Sequence, residues 1–441
     1  MHRLMGFLVL VATLTASAQE QPPGGNSSVN LLQPVTELSQ ATPEWFKVGV
    51  QYRFRFENRT GNGFRKGTPD FYGLGRLLVD VGVEPAPWLS FHFRGQDARA
   101  PGKKNATPLY RDPFDVRQAW IQLGDSESGW LRVRAGRQEL LYGAQRLVGP
   151  LDWTNTARQF DAVKLNVGKK DLNVDVFASS VVVIDEEGFN RHRDGANLHG
   201  AYGNLNRLAG EGTLDAYAFW KTTPRVVVSP LNIGDADIYT TGLRYTRSLE
   251  HGFDVAAEVV RQFGTFANDN ISSWGAYGII GYKPPDWKTS PRFSVEYQYG
   301  SGDDDPNDGK MSTFDQLFPT GHLYQGTADR IGWRNVKDIR AGVTLQPAPK
   351  VSLTLNYFSF WLASRNDNLY AVNGSISVRT PDGGAANGHV GQELDAIVMW
   401  RPRGHIAIGS GFGYFITGGF LKETTPGHRS TFGYLMLNYV L

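Results

Sequence analysis

The sequence predicts an all-β protein, a closed antiparallel transmembrane β-barrel of about eighteen strands. Three observations predict it. Apolar and polar residues alternate with a period of two over stretches of about ten residues, the length a tilted strand needs to cross a bilayer. The connections between those stretches alternate between short and long. Mean hydropathy is -0.34 with 41% hydrophobic residues, and no apolar run reaches the roughly eighteen residues of a helical span, so a membrane protein this polar crosses with strands.

Composition narrows the function. The 441 residues hold 45 Lys and Arg against 43 Asp and Glu, a net charge of +2. Bulk attraction to nucleic acid or to an anionic membrane surface is therefore not supported, and any charge selectivity must be local. Cysteine is absent, which removes disulfides, thiolate catalysis and cysteine metal sites.

The chain opens as a secretory signal: His2 and Arg3, an apolar run from Leu4 to Leu14, then Ala16-Ser17-Ala18 as a small-residue cleavage site. Three segments are expected: a signal peptide over residues 1–18, a flexible periplasmic lead over 19–44 that is rich in Pro, Gly, Ser and Asn, and the barrel over 45–441. The mature chain is expected to start at Gln19.

Strand grammar begins at Phe46. Phe46, Val48, Val50, Tyr52, Phe54 and Phe56 alternate with Lys47, Gly49, Gln51, Arg53, Arg55 and Glu57. Next, Leu77, Val79, Val81 and Val83 oppose Arg76, Asp80 and Glu84; then Leu89, Phe91 and Phe93 oppose His92, Arg94 and Gln96. The stretch from Trp130 to Leu165 sets Leu131, Val133 and Ala135 against Arg132, Arg134 and Gly136, and closes with Asp161, Val163, Leu165 and Val167 against Ala162, Lys164 and Asn166. Its central loop carries Arg146 and Arg158. The same pattern recurs at 172–176, 253–259, 292–299 and 338–345, and less cleanly at 116–123, 196–204, 276–282, 397–400 and 406–414.

Short turns fall at every second position, at Glu84–Pro87, Gly168–Asp171, Leu249–Gly252, Pro347–Lys350 and Arg401–Gly404. Long polar connections alternate with them, at Ala100–Asp112, Glu139–Arg158, Asp185–Gly195, Ser301–Trp333 and Leu362–Gly391. Short turns at one rim and long loops at the other are how outer-membrane barrels are built, and an even strand count puts both chain ends in the periplasm. The connections Ser301–Trp333 and Leu362–Gly391 are long enough to fold over the outer mouth as lids. The 25 Phe, 18 Tyr and 11 Trp include Trp88, Trp130, Trp220, Trp274 and Trp361 at strand ends, where amphipathic rings favour the boundary between water and lipid. The terminal strand, with Leu435, Leu437, Tyr439 and Leu441 on one face, departs from the habit of ending on an aromatic.

Arg53, Arg55, Arg76, Arg94, Arg132 and Arg134 share the polar parity of their strands. On the lipid face each would cost about 2 to 4 kcal/mol near the midplane, so they are expected to face inward. A guanidinium is always charged and can hold a carboxylate by two hydrogen bonds, which suits successive uronate groups passing a constriction. The opposing acids Asp80, Glu84, Asp152 and Asp161 suit a general porin equally, by neutralising the row.

Several strings carry a resemblance: Val116-Arg117-Gln118-Ala119-Trp120, Ala135-Gly136-Arg137-Gln138-Glu139, Gly149-Pro150-Leu151-Asp152-Trp153-Thr154-Asn155 and Arg158-Gln159-Phe160-Asp161. So do Thr313-Phe314-Asp315-Gln316-Leu317-Phe318-Pro319-Thr320-Gly321-His322 and Ala328-Asp329-Arg330-Ile331-Gly332-Trp333-Arg334-Asn335. The chain resembles the alginate export family of outer-membrane barrels over nearly all of its mature length. The resemblance implies a monomeric barrel of about eighteen strands in the outer membrane of a Gram-negative-type bacterium, with a narrow arginine-lined pore passing an anionic polysaccharide or oligosaccharide. It adds Arg117, Arg146 and Arg158 to the expected pore-lining set, beside Asp152 and Asp161.

The expected partners are that polyanion, the lipid bilayer and a periplasmic export scaffold; no nucleic acid and no cofactor are expected. A passive channel conducts when attraction is weak enough for release. Two other readings stay open, a general diffusion porin for small solutes and a barrel hydrolase. The hydrolase would need Ser294 or Ser352 to meet His92 or His322, and no motif surrounds them. The acidic loop Asp303–Gly309 lacks the Gly at position six and Glu at position twelve of an EF-hand, with Asp308 and Phe314 there instead, and reads as a solvated loop.

Overall fold

The computed structural model describes residues 42–441 apart from 68, 126–128, 170 and 230–231. The expected signal peptide, and the lead up to residue 41, lie outside the described residues.

The alternating stretches fold as strands because each can bury polar residues inward only if its neighbours satisfy its backbone, and closure alone leaves no edge in lipid. In chain order they are β1 (Phe46–Thr60), β2 (Asp70–Ala86), β3 (Leu89–Arg99), β4 (Asp112–Leu123), β5 (Leu131–Gln138) and β6 (Phe160–Lys169). Then come β7 (Leu172–Val183), β8 (Arg191–Asn204), β9 (Thr213–Ser229), β10 (Asn232–Ser248), β11 (Phe253–Phe266) and β12 (Asp269–Tyr282). The last six are β13 (Arg292–Gly300), β14 (Val336–Ala348), β15 (Val351–Leu362), β16 (His389–Arg403), β17 (Ile406–Thr417) and β18 (Ser430–Val440). Each pairs antiparallel with the next, and β1 closes on β18 through the register from Gln51↔Val440 to Thr60↔Thr431. This is the expected eighteen-stranded barrel. A nineteenth strand in the same sheet, Lys310–Met311, belongs to a loop and pairs in parallel with Asn270 and Ile271.

Parity sorts the faces as alternation requires. In β1 Tyr52 and Phe56 are each 43% exposed on the outer wall, while Arg53 and Arg55 are 5% and 1% exposed inside. Tight turns such as Pro87–Trp88 and Gly404–His405 form one rim. The long connections gather at the other, which is the outer rim by the logic of the architecture. One loop is shorter than expected, 184–190 rather than 185–195, because β8 begins at Arg191. Residues 191–195 are exposed and extend the strand above the membrane, where pairing needs no apolar face.

The larger departure concerns the loops themselves. The connection 139–159 is not the polar outer loop expected: Leu140, Tyr142, Leu147 and Val148 are 1 to 6% exposed and pack inside the barrel with Phe160, Phe177, Leu198 and Phe219. The connection 301–335 also turns inward, with Phe314, Ile331 and Trp333 buried in the same cluster. The two are stitched together by backbone bonds: Thr320 N donates to Gln145 O at 2.9 Å, Phe318 N to Leu147 O at 2.7 Å and Gly149 N to Phe318 O at 2.9 Å. Gly149 is required at this approach, since a Cβ there would collide with the Thr320 hydroxyl.

Candidate functional site: an arginine-anchored plug and a basic strip

Asp152, at the tip of the first inward loop, is the hub of the inner arginines. Arg76 Nη1 lies 2.9 Å from Asp152 Oδ1, Arg53 Nη1 lies 3.7 Å from Oδ2, and Arg117 Nη2 hydrogen-bonds Oδ1. The adjoining carbonyls point the same way: Arg53 donates to Asp152 O at 2.8 Å and Thr154 O at 2.6 Å, and Arg55 to Trp153 O at 2.9 Å. A register shift in the β3–β4 pairing leaves Arg117 unmatched and lets it reach inward beside Gln118. Burial pushes the Asp152 carboxyl up, but Arg76, Arg117 and Arg53 outweigh it and hold the group well below the usual carboxylate range.

Two further anchors sit elsewhere on the circumference. Arg146 donates to Glu296 at 2.5 Å and to Gln298 on β13, between the rings of Tyr277 and Tyr324, each centred 3.9 Å from its guanidinium carbon. Tyr142 stacks on Phe177 and Tyr202, with centroids 5.4 Å and 4.8 Å apart. Arg158 ties the two loops together by donating to the carbonyls of Gly149, Phe318 and Pro319 at 3.0, 2.6 and 3.2 Å. Burial lowers its guanidinium to about 10.

The second loop has anchors of its own. Lys221 meets Asp315 at 2.9 Å, Arg59 meets Asp329 at 3.4 Å, and the amides of Thr327 and Ala328 donate to Asp395 and Glu393 on β16. Trp153 joins the loops by stacking on His322 at 3.8 Å, with Arg55 on its other side at 3.8 Å.

The structure therefore divides the sequence-expected residues. Arg53, Arg55, Arg76, Arg117 and Arg146 are 0 to 5% exposed; Asp152 partners Arg53, Arg76 and Arg117, while Arg55 pairs with Glu57 and Arg146 with Glu296. Together with Arg158 they hold the plug. Asp161 departs from the expectation: it shares the outward parity of Val163, which is 54% exposed, and pairs with Arg137 at 2.8 Å near the outer rim. Glu84 pairs with Lys47 at 2.9 Å, near the short-turn rim.

Arg94, Arg132 and Arg134 make a different group, a half-buried strip on the inner wall of β3 to β6, on the periplasmic side of the plug. Arg94 pairs with Asp80 at 2.7 Å and Arg132 bonds Asn166. Arg134 lies over the Trp120 ring at 3.9 Å and donates to Gln122 at 2.7 Å, while His92 stacks beside Trp120 at 5.0 Å. Lys164 extends the strip and meets Asp175 at 3.2 Å. Sequence reasoning had Trp120 within a family string and Lys164 on the inward parity of β6, but gave neither a role. The signal for both was their register beside Arg134, because strand neighbours on one face meet.

His92 contacts Asp80 and Trp120, and His322 contacts Asp329 and Trp153. Neither hydrogen-bonds Ser294 or Ser352 among the described residues. The geometry is that of a barrel whose interior is crossed by two stitched loops.

Solved structures from Pseudomonas aeruginosa share the architecture. OccK11 (OpdR) superposes with a TM-score of 0.59 at 14% identity, covering 90% of this chain and 96% of its own. OpdO gives 0.60 at 12%, covering 91% and 99%, and OpdQ gives 0.61 at 12%, covering 90% and 97%. At such identities the likeness is one of fold. No curated protein matches in sequence. The family model for alginate export matches residues 44–434, and the chain therefore belongs to the alginate export family, as a channel of the Gram-negative outer membrane.

Proposed function

We propose that the channel passes carboxylated sugars, as uronate-type oligosaccharide or polymer such as alginate, without an energy source, and that Arg94, Arg132, Arg134 and Lys164 form its contact strip. One observation carries the reading. Arg134 lies over the Trp120 ring, is held there by Gln122 and makes no ion pair among the described residues. A guanidinium beside an aromatic face offers a carboxylate two hydrogen bonds and a sugar ring an apolar platform. The neighbouring acids Asp80 and Asp175 leave the strip a modest positive excess, which suits attraction followed by release.

The general-diffusion reading draws its support from those same acids, which neutralise Arg94 and Lys164. Reversal potential in a planar bilayer under a salt gradient, with oligouronate on one side, separates the two. Anion selectivity with current block by the uronate, both weakened in Arg134→Gln and Trp120→Ala, is the expected result. Equal behaviour of wild type and variants, with no uronate block, would move the function to a general porin.

A further inference from the structure

The outer rim carries a second concentration of positive charge, outside the barrel rather than within it. A pocket of about 350 Å³ lies where the connection from β1 meets the one leading to β18, lined by Thr60, Gly61, Arg65, Lys66, Gly67, His428 and Arg429 among others. Among the described residues no carboxylate lines it. Arg65, Lys66, His428 and Arg429 are all exposed, and the positive backbone angles of Gly61, Gly67 and Gly427, at +65°, +74° and +69°, fold the two loops back around it.

Its position on the wall says what it meets. Thr60 shares the outward parity of Tyr52 and Phe56 and hydrogen-bonds Thr431 across the seam at 2.7 Å, so the pocket opens over the lipid face. Below it, Phe56, Phe412 and Leu435 are 43, 51 and 55% exposed. Phe56 lies four residues down β1, about 13 Å along the strand. Arg429 donates to the Tyr414 hydroxyl at 2.6 Å, on an outward tyrosine of the kind that marks the lipid boundary.

We propose that this pocket binds a phosphate of the phosphorylated glycolipid of the outer leaflet, with the acyl chains lying on the apolar wall beneath. Three permanent cations around a compact space suit a dianionic phosphate, and lie at headgroup height. The inference is independent of what the channel conducts.

The test is native mass spectrometry of the full barrel released from nanodiscs doped with bis-phosphorylated lipid A, beside nanodiscs doped with its dephosphorylated form. Wild type should retain the phosphorylated lipid, and the triple variant Arg65→Ala/Lys66→Ala/Arg429→Ala should retain at least tenfold less, with each single variant intermediate. A control removing equal charge elsewhere on the outer rim, Lys104→Ala/Arg191→Ala/Arg193→Ala, should behave as wild type. All three pocket residues lie on exposed loops, and unchanged heat-modifiable gel migration reports a folded barrel. Equal retention by the pocket variant overturns the proposal, as does equal retention of the dephosphorylated lipid. Competition by millimolar inorganic phosphate as effective as that of lipid A also overturns it, in favour of a site for soluble anions.

Discussion

Arg76 and Asp152 meet at 2.9 Å across 76 residues of sequence, with the Arg76 side chain fully buried. The pair joins the barrel wall to the tip of an inward loop, and Arg53 and Arg117 converge on the same carboxylate. The arginine cluster thus positions the inward loop, and withdrawal of the Asp152 tip would leave Arg53 and Arg76 without a carboxylate among the described residues, while Arg117 would keep Glu139 at 2.7 Å.

Replacing Asp152 by Asn keeps the shape and removes the charge. Truncating one partner of a buried ion pair is worth about 3 to 5 kcal/mol. The closed sheet does not depend on this contact, so the loss should appear as loop release rather than unfolding. Single-channel recordings of Asp152→Asn should show larger and noisier conductance than wild type, with an unchanged barrel melting temperature. Wild-type conductance in the variant would show that the carboxylate is dispensable to the plug.

Acid alone should not release this anchor. The folded-state carboxyl of Asp152 is held well below its ordinary value, so its stabilising contribution is complete at and above the unfolded value of about 3.9. It is lost only as pH falls below that, through the folded value. Conductance followed from pH 7 down to pH 4 should therefore show no opening that Asp152→Asn abolishes. An opening near pH 4 that is missing in the variant would contradict the tight pairing.

The barrel was legible because its period-two pattern is imposed by lipid outside and polar atoms inside, strand by strand. Phe46 to Glu57 shows it completely. The plug was not, for a specific reason. Inward parity states which way Arg53, Arg55 and Arg76 point, but not whether water or a folded loop lies there. The clue was Leu140, Tyr142, Leu147 and Val148, too apolar for a loop bathed in solvent. Asp161 shows the converse: it sits on the apolar parity of β6, which placed it outward, yet sequence reading grouped it with the acids of the pore. Arg117 escaped parity altogether, because a register shift cannot be read from alternation.

The stitching of the two loops makes a final prediction. Gln145 and Thr320 share both a backbone bond of 2.9 Å and a side-chain bond of 3.1 Å, although 175 residues separate them. If the loops form one body, the double variant Gln145→Cys/Thr320→Cys should close a disulfide under mild oxidation. The chain has no native cysteine to compete, so a shifted gel band reversed by reductant reads the bond directly. The tether should quiet current fluctuations without removing conduction, because the strip of Arg94, Arg132 and Arg134 lies on the wall away from this seam. A pair that stays reduced under conditions that oxidise exposed thiols would mean that the loops part in the membrane. Closure that abolishes current would instead mean that conduction requires them to separate, turning the plug from a fixed constriction into a gate.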